Sequence, residues 1–579
     1  MKKRKYLIFV FITLLGLTNA CNVLTPEDEN TYDLNDVESV VTYTEGFLMN
    51  AYRNNPVDQK NFDLSYASDD AVNNVPTSSV KAAVAGGWTS SSNPFDAWNT
   101  AYESILYLNT FLSEVDHVKW YWRNETTSAL FAQKLKGEAY GLRAWNYFKL
   151  LQAHAGKGAN GEMLGVPIVD HVLATANPSD YQIPRSSFKD LVKFILDDCD
   201  RAIAILPDRW KDSGNANADI ATGARNTNRI NGLTVRLIKA KTLLYAASPA
   251  YSDGTYTYQM AAQAAGELMD KNSGLTLVNL ANTKNVEFYS NADVPNAGDL
   301  HPEVLWYSTR INSVNSSTGW ETTNFTPSLF GQGLTNPTQD LVNAFPMADG
   351  TPTPDIKINS STPYSGRDPR LSKFILFNGA QFTRGVQSIT INTKDGSQDA
   401  QGSTSIYATK TGYYLKKFMN VSNVNLDPKV NSGGLHYYTY ARYTDVLLMF
   451  AEAANEAVGP DANIGNYNAR QVINAIRNRA GITAATYVTG LSKAQMTDLI
   501  RNERRIEMCF EEQRFWDLRR WKMTTEMKKS VSGVKVSADG STYTYREVER
   551  RNYSDYQIYG PIPYGETLKY SLIQNQGWQ

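Results

Sequence analysis

Arg501-Asn502-Glu503-Arg504-Arg505-Ile506-Glu507-Met508-Cys509-Phe510-Glu511-Glu512-Gln513-Arg514-Phe515-Trp516-Asp517-Leu518-Arg519-Arg520-Trp521 is the stretch whose reading decides the fold. Met496, Leu499, Ile506 and Phe510 recur at helical spacing, and Glu503 falls on the same apolar stripe. A carboxylate on that face is buried, and a buried charge without a partner is strongly destabilising. Arg504, Arg505, Arg514, Arg519 and Arg520 lie close by. They offer bidentate guanidinium contacts, so the stretch predicts an internal ionic network. Glycoside hydrolysis would instead need two acids facing each other across a sugar, roughly 5 to 9.5 Å apart. Acids crowded by arginines have their pKa values pushed down, which is the wrong direction for a general acid.

Outward from this segment, helical periodicity fills two regions. In residues 37–271, Trp98, Tyr102, Ile105 and Asn109 form one stripe, and Leu135, Ala139, Leu142 and Asn146 form another. Phe188, Leu191, Ile195, Cys199, Ala202 and Ile203 make a third helix, stopped before Pro207, and Leu233, Leu237, Ala240 and Leu244 a fourth, stopped before Pro249. Residues 436–579 resume the pattern with Leu447, Phe450, Ala451, Ala454 and Ala457, then Ala469, Val472, Ile473, Ile476 and Ala480. Between them, 272–435 breaks into short strand-like runs such as Val304-Leu305-Trp306-Tyr307, separated by Gly, Asn, Ser, Thr and Pro. Alternating helices of this length suggest tetratricopeptide-like hairpins with only a loosely kept period.

The N-terminus reads as an export signal over 1–20. Met1-Lys2-Lys3-Arg4-Lys5 precedes an apolar run from Tyr6 to Leu17, which is too short to span a bilayer. Ala20 before Cys21 fits lipidation of that cysteine, and 21–36, with Glu27-Asp28-Glu29, reads as a charged tether. The 579 residues carry a formal net charge of -1, which argues against nucleic acid and other polyanions as partners. Three cysteines exclude a disulfide framework. The 34 tyrosines and 11 tryptophans offer flat rings of the kind that pyranose faces stack upon.

Further segments form an ordered series: Trp98-Asn99-Thr100-Ala101-Tyr102, Gly137-Glu138-Ala139 with Leu142-Arg143-Ala144, Gly165-Val166-Pro167-Ile168-Val169 and Gly366-Arg367-Asp368-Pro369-Arg370. Thr411-Gly412-Tyr413-Tyr414 with Lys417, Arg442-Tyr443 with Asp445, Arg477-Asn478-Arg479-Ala480-Gly481, the 501–521 stretch and the ending Gln574-Asn575-Gln576-Gly577-Trp578 continue it. In this order they resemble the SusD/RagB family of nutrient-binding outer-membrane lipoproteins. Gln513 stands where the family often has Gly, and Gln576 where it often has Pro. The resemblance implies a mainly α fold, a right-handed superhelix of tetratricopeptide-like hairpins carrying an irregular ligand-face subdomain over 272–435. It further implies an outer-membrane lipoprotein, exposed at the cell surface, that captures oligo- or polysaccharide and acts as a lid over a SusC-like TonB-dependent transporter. No cofactor or nucleotide is implied. The RagB branch implies peptides as the alternative ligand.

Catalytic motifs are thin. Gly156 to Gly161 satisfies GxGxxG but follows a helix rather than a strand, so it reads as a loop. His117, His154, His171, His301 and His436 show no metal-ligand spacing, and no metal is expected. A surface glycoside hydrolase, with carboxylates drawn from distant loops, is the third alternative. For the ligand site, rings outside helical stripes are the expectation: Trp88 between Gly86-Gly87 and Thr89-Ser90-Ser91, and Trp320 after Ser316-Ser317-Thr318-Gly319. Asn324 and Phe325 beside Trp320, with Asp69, Asp70 and Asn74 preceding Trp88, complete the expected set. Trp98 and Trp306 are assigned to the core.

Overall fold

Helix signals are local, and the computed structural model follows them. It describes residues 40–55, 62–75, 77–173, 177–277, 302–308, 311–312, 319–354 and 361–578. The signal peptide, Cys21 and the tether lie outside these residues. The principal helices are α1 (Val41–Arg53), α2 (Trp98–Glu114), α3 (Glu125–His154), α4 (Phe188–Ile205), α5 (Gly232–Ala247), α6 (Tyr258–Lys271), α7 (Tyr443–Val458), α8 (Ala469–Arg479), α9 (Lys493–Glu507) and α10 (Arg514–Arg520). α1 to α7 each pack on the next, and α7 also receives α8 and α9. The stack thus continues from α6 to α7 although the chain between them travels elsewhere. This is the expected mainly α architecture of stacked hairpins.

Sequence explains the starts and close contacts. Ser187 accepts the Asp190 amide at the start of α4, and Asn468 with Gln471 and Ser492 with Gln495 form capping boxes at α8 and α9. Gly141 lets α3 approach α5 closely, since a Cβ there would lie 2.9 Å from the Val235 side chain. Among the described residues no helix is long and apolar enough to cross a membrane.

The packing divides differently from the chain order read in the sequence. One core belongs to the stacked helices, from Leu48 to Ile500, and takes in Leu305, Trp306, Met508, Ile562 and Leu572. A second gathers Phe62, Tyr66 and Trp88, then residues from Val304 to Tyr437, then Ile506, Phe510, Phe515 and Trp578. Its strands form two-stranded antiparallel pieces: β1 (Ala71–Asn73) pairs with β3 (Thr335–Pro337), β2 (Val304–Tyr307) with β4 (Thr439–Arg442), and β5 (Val531–Val536) with β6 (Tyr543–Glu549). Gly156-Lys157, in the GxGxxG segment, pairs with Met163-Leu164 as a short hairpin.

The predicted ionic network sits between the two cores, with partners other than the expected ones. Glu503 accepts from Arg370 and Arg477, not from the neighbouring arginines. Glu507 pairs with Arg370 at 3.0 Å, Arg442 at 3.3 Å and Arg479 at 2.5 Å. Arg504 bridges Asp445 and Asp517, both at 2.7 Å, Arg520 holds Glu452 and Asp517, and Arg519 donates to the Ile558 carbonyl. Asp368 caps the short helix Pro369–Phe374 and pairs with Arg370 at 2.7 Å. Fragments separated in sequence, 366–370, 442–445, 477–479 and 503–520, therefore meet in one place.

Burial alone would raise these carboxylates, but adjacent cations outweigh it. Glu507 is held well below the usual range by Arg479, Arg442 and Arg370, and Asp445 by Lys241 and Arg504. A depressed folded-state pKa gives stability that is complete above the unfolded value, about 4, and is lost as pH falls through the folded value. The thermal midpoint followed by circular dichroism should therefore drop steadily below about pH 4. A midpoint unchanged down to about pH 3 would show that the network contributes little.

Candidate functional site

The turn after α9 is where the network reaches open space. Lys417 Nζ donates to the carbonyls of Glu507 at 2.8 Å and Cys509 at 3.0 Å, and Arg442 donates to the Glu507 carbonyl at 2.8 Å. These cations satisfy carbonyls that the ended helix leaves unpaired. The chain then turns sharply, with Phe510 at φ 63° and Glu512 at φ 65°. The family's frequent Gly position, Gln513, has φ -92°, so the left-handed residues lie before it. Left-handed conformations cost non-glycine residues about 1 kcal/mol or more, and here the turn sends Glu511, Glu512 and Gln513 into a cavity.

That cavity has a volume of about 690 Å³, within the range of about 300–1,000 Å³ common for small-ligand sites. α3 supplies Trp145, Lys149 and Gln152, spaced by four and three residues on one helix face. Tyr440 comes from β4 and Tyr438 from just before it, Trp516 from α10 and Asn55 from just past the end of α1. Asn55 Oδ1 accepts from Trp145 Nε1 at 3.1 Å and Lys149 Nζ at 2.9 Å, fixing the indole and the ammonium together. Trp145 and Tyr440 both lean on the buried Trp306, with ring centroids 5.9 and 4.4 Å away. Tyr438 donates to Glu512 Oε1 at 2.7 Å.

Most charges at the wall are neutralised. Glu511 pairs with Arg442 at 2.7 Å and Lys417 at 2.6 Å, and Asp445 with Lys241 at 3.0 Å, while Asp96 lies 3.0 Å from His154 Nε2. Lys149 and Glu512 have hydrogen bonds but no ion pair among the described residues. Burial pushes the Lys149 ammonium down to about 8, partly opposed by Glu512. It therefore remains mostly protonated at neutral pH. Half-buried rings beside one cation and one anion, each with unused hydrogen-bonding capacity, suit a ligand with apolar faces and many hydroxyls. Among the described residues no cluster of side chains fits a metal ion.

Two family models match the chain: the SusD family over residues 302–578, and one described as starch-binding and associating with the outer membrane over 23–225. The chain belongs to the SusD/RagB family. A SusD-like protein, P38, of Formosa agariphila is 23% identical over 556 residues, covering 92% of this chain and 95% of the relative. A SusD-like protein of Bacteroides fragilis superposes with TM-score 0.76 at 24% identity, covering 96% of this chain and 100% of that one. A laminarin-binding SusD-like protein superposes with TM-score 0.57 at 19% identity, covering 93% and 99%.

In this SusD/RagB-family chain the seven residues expected to touch ligand are buried. Trp88 is 2% exposed, with Phe95 at 4.8 Å and Trp578 at 4.9 Å from its ring and Nε1 donating to Asn93 Oδ1 at 2.9 Å. Trp320, also 2% exposed, stacks on His436 at 4.6 Å. Phe325 is fully buried beneath the Arg384 guanidinium. Asp69 pairs with Arg514 at 2.8 Å and Arg505 at 3.0 Å, and Asp70 with Arg505 at 2.8 Å. Burial would raise Asp69, but the two arginines hold it well below its ordinary range, whereas burial prevails at Asp70 and raises it. Asn74 donates to the carbonyls of Gln332 and Gly333, and Asn324 to that of Trp320. All seven are enclosed by packing: six take partners from distant segments that their own loops lack, and Asn324 bonds within its own helical turn.

The cavity residues carried weaker signals. Trp145 and Lys149 lie four apart on α3, beside the recognised Leu142 stripe, and Tyr437-Tyr438-Thr439-Tyr440 concentrates three rings next to a strand. Trp98 and Trp306 are buried, as the sequence assigns them.

Proposed function

We propose that this protein captures saccharides at the cell surface, without cleaving them, and passes them to a SusC-like TonB-dependent transporter while anchored in the outer membrane through lipid on Cys21. The observation that carries this reading is the cavity in which Trp145, Tyr440 and Trp516 surround Lys149 and Glu512. The family's description as starch-binding and the laminarin-binding relative support a glycan over a peptide. Binding rather than hydrolysis is supported by the state of two wall carboxylates. Glu511 is clamped by two cations, and Asp96 is held below its ordinary range by His154 against the effect of burial. Neither is poised to donate a proton.

Titration calorimetry of the chain lacking the signal peptide and Cys21, against neutral oligosaccharides, tests the proposal. Trp145→Ala and Lys149→Gln should each weaken binding by about 1–2 kcal/mol, the scale of one stacked ring or one charge-assisted hydrogen bond. Folded variants that bind as well as the parent would remove the cavity as the site. Binding of peptides but of no saccharide would replace the glycan reading.

A further inference from the structure

A second concave site lies away from that cavity, about 350 Å³ in volume, between the loop around Gly402 to Lys410, β1 and the outer strand β6. Its lining carries three cations and two carboxylates. Lys81, Lys410 and Arg546 line it, against Glu547 and Glu549. Both carboxylates are engaged by arginines outside that set: Glu547 with Arg550 at 2.7 Å and Glu549 with Arg551 at 2.8 Å. Lys81 reaches Glu549 only at 3.7 Å, and among the described residues Lys410 and Arg546 have no ion pair. A chain of formal net charge -1 thus leaves two cations, Lys410 and Arg546, without an ion pair in one hollow among the described residues. Like charges gathered in a concavity repel one another and focus a positive field, which an anion relieves.

The loop that forms one wall also exposes Tyr407, 41% accessible, between Gly402 and Thr409. The Tyr407 carbonyl lies 3.5 Å from Asn74 Nδ2, and that amide also holds the Gln332 and Gly333 carbonyls. Phe330, just before them, is exposed at φ 65°. An exposed ring on the same loop that supplies Gly402, Thr409 and Lys410 to the hollow makes a two-part recognition surface: a face for a sugar ring and a pocket for a negative group.

We propose that this second site binds the anionic substituent, a sulfate ester or a carboxylate, of a saccharide whose ring lies on Tyr407. The inference goes beyond the neutral-saccharide cavity and stands without it. Calorimetric titration of the full mature chain with dextran sulfate oligomers, galacturonate oligomers and uncharged dextran oligomers of equal length tests it. At least one charged series should bind on the order of tenfold more tightly than uncharged dextran, and added salt should weaken it. Lys410→Gln with Arg546→Gln should abolish that preference, whereas Lys119→Gln with Lys211→Gln, which removes the same charge elsewhere, should preserve it. Tyr407→Ala should weaken the preferred charged saccharide but not inorganic sulfate. Equal affinity for charged and uncharged oligomers would overturn the proposal, as would equal losses in the two double variants. Between the charged series, the one retained identifies sulfate ester or carboxylate as the group read.

Discussion

Glu507→Ala is expected to lower the free energy of unfolding by about 3–5 kcal/mol, the cost of breaking a buried ion pair from one side. Glu507 is 3% exposed and is shared by Arg370, Arg442 and Arg479. Removing it leaves three guanidinium groups facing one another with little water to replace the carboxylate. Glu507→Gln keeps the shape and part of the hydrogen bonding, so its loss should be intermediate. Urea unfolding followed by circular dichroism measures both, with Glu547→Ala as a comparison whose transition should not move, because the Glu547–Arg550 pair lies in solvent. The prediction fails if Glu507→Ala unfolds at the same urea concentration as the parent. A functional consequence accompanies the structural one. Arg442 and Lys417 hold both Glu511 and the carbonyls of the turn, so loosening the network displaces Glu512 and weakens saccharide binding together with stability.

The network also shows what one sequence discloses. Helices were legible because their evidence is local: a cap such as Ser187 or Ser492, an apolar stripe, and a stop before Pro207 or Pro249 all lie within a few residues of the helix they define. That Glu503 must be buried and paired was legible for the same reason. Its partners were not, since Arg370 lies 133 residues away in sequence and nothing in the 501–521 stretch points to it. The candidate site suffered more from this asymmetry. Trp88 and Trp320 stood out because they had no local stripe to join, but the absence of local partners says nothing about partners from elsewhere in the chain. Trp145 was hidden for the converse reason, since it sits on a helix whose strong stripe suggested core for every ring near it. A single helix can bury one face and use the adjoining face for a ligand.

Trp88→Ala separates the two assignments most sharply. If the indole is an internal anchor, its removal should cost about 3–5 kcal/mol of stability, the range for truncating a large buried aromatic. The ring is packed by Phe95, Phe515, Tyr553 and Trp578 and capped by the Arg519 guanidinium at 5.6 Å. It thereby ties the loop at Gly86, φ 107°, to the C-terminal segment. The variant should unfold earlier in urea yet bind saccharide with unchanged affinity at temperatures where it remains folded. Trp145→Ala should show the reverse balance, a clear loss of affinity with a smaller loss of stability, because that ring is only partly buried at the cavity wall. Loss of binding in Trp88→Ala without a shift in its unfolding would identify that indole as the ligand platform and displace the cavity as the site. The physical reason to expect otherwise is accessibility: a ring with 2% of its surface exposed has no free face for a pyranose to cover.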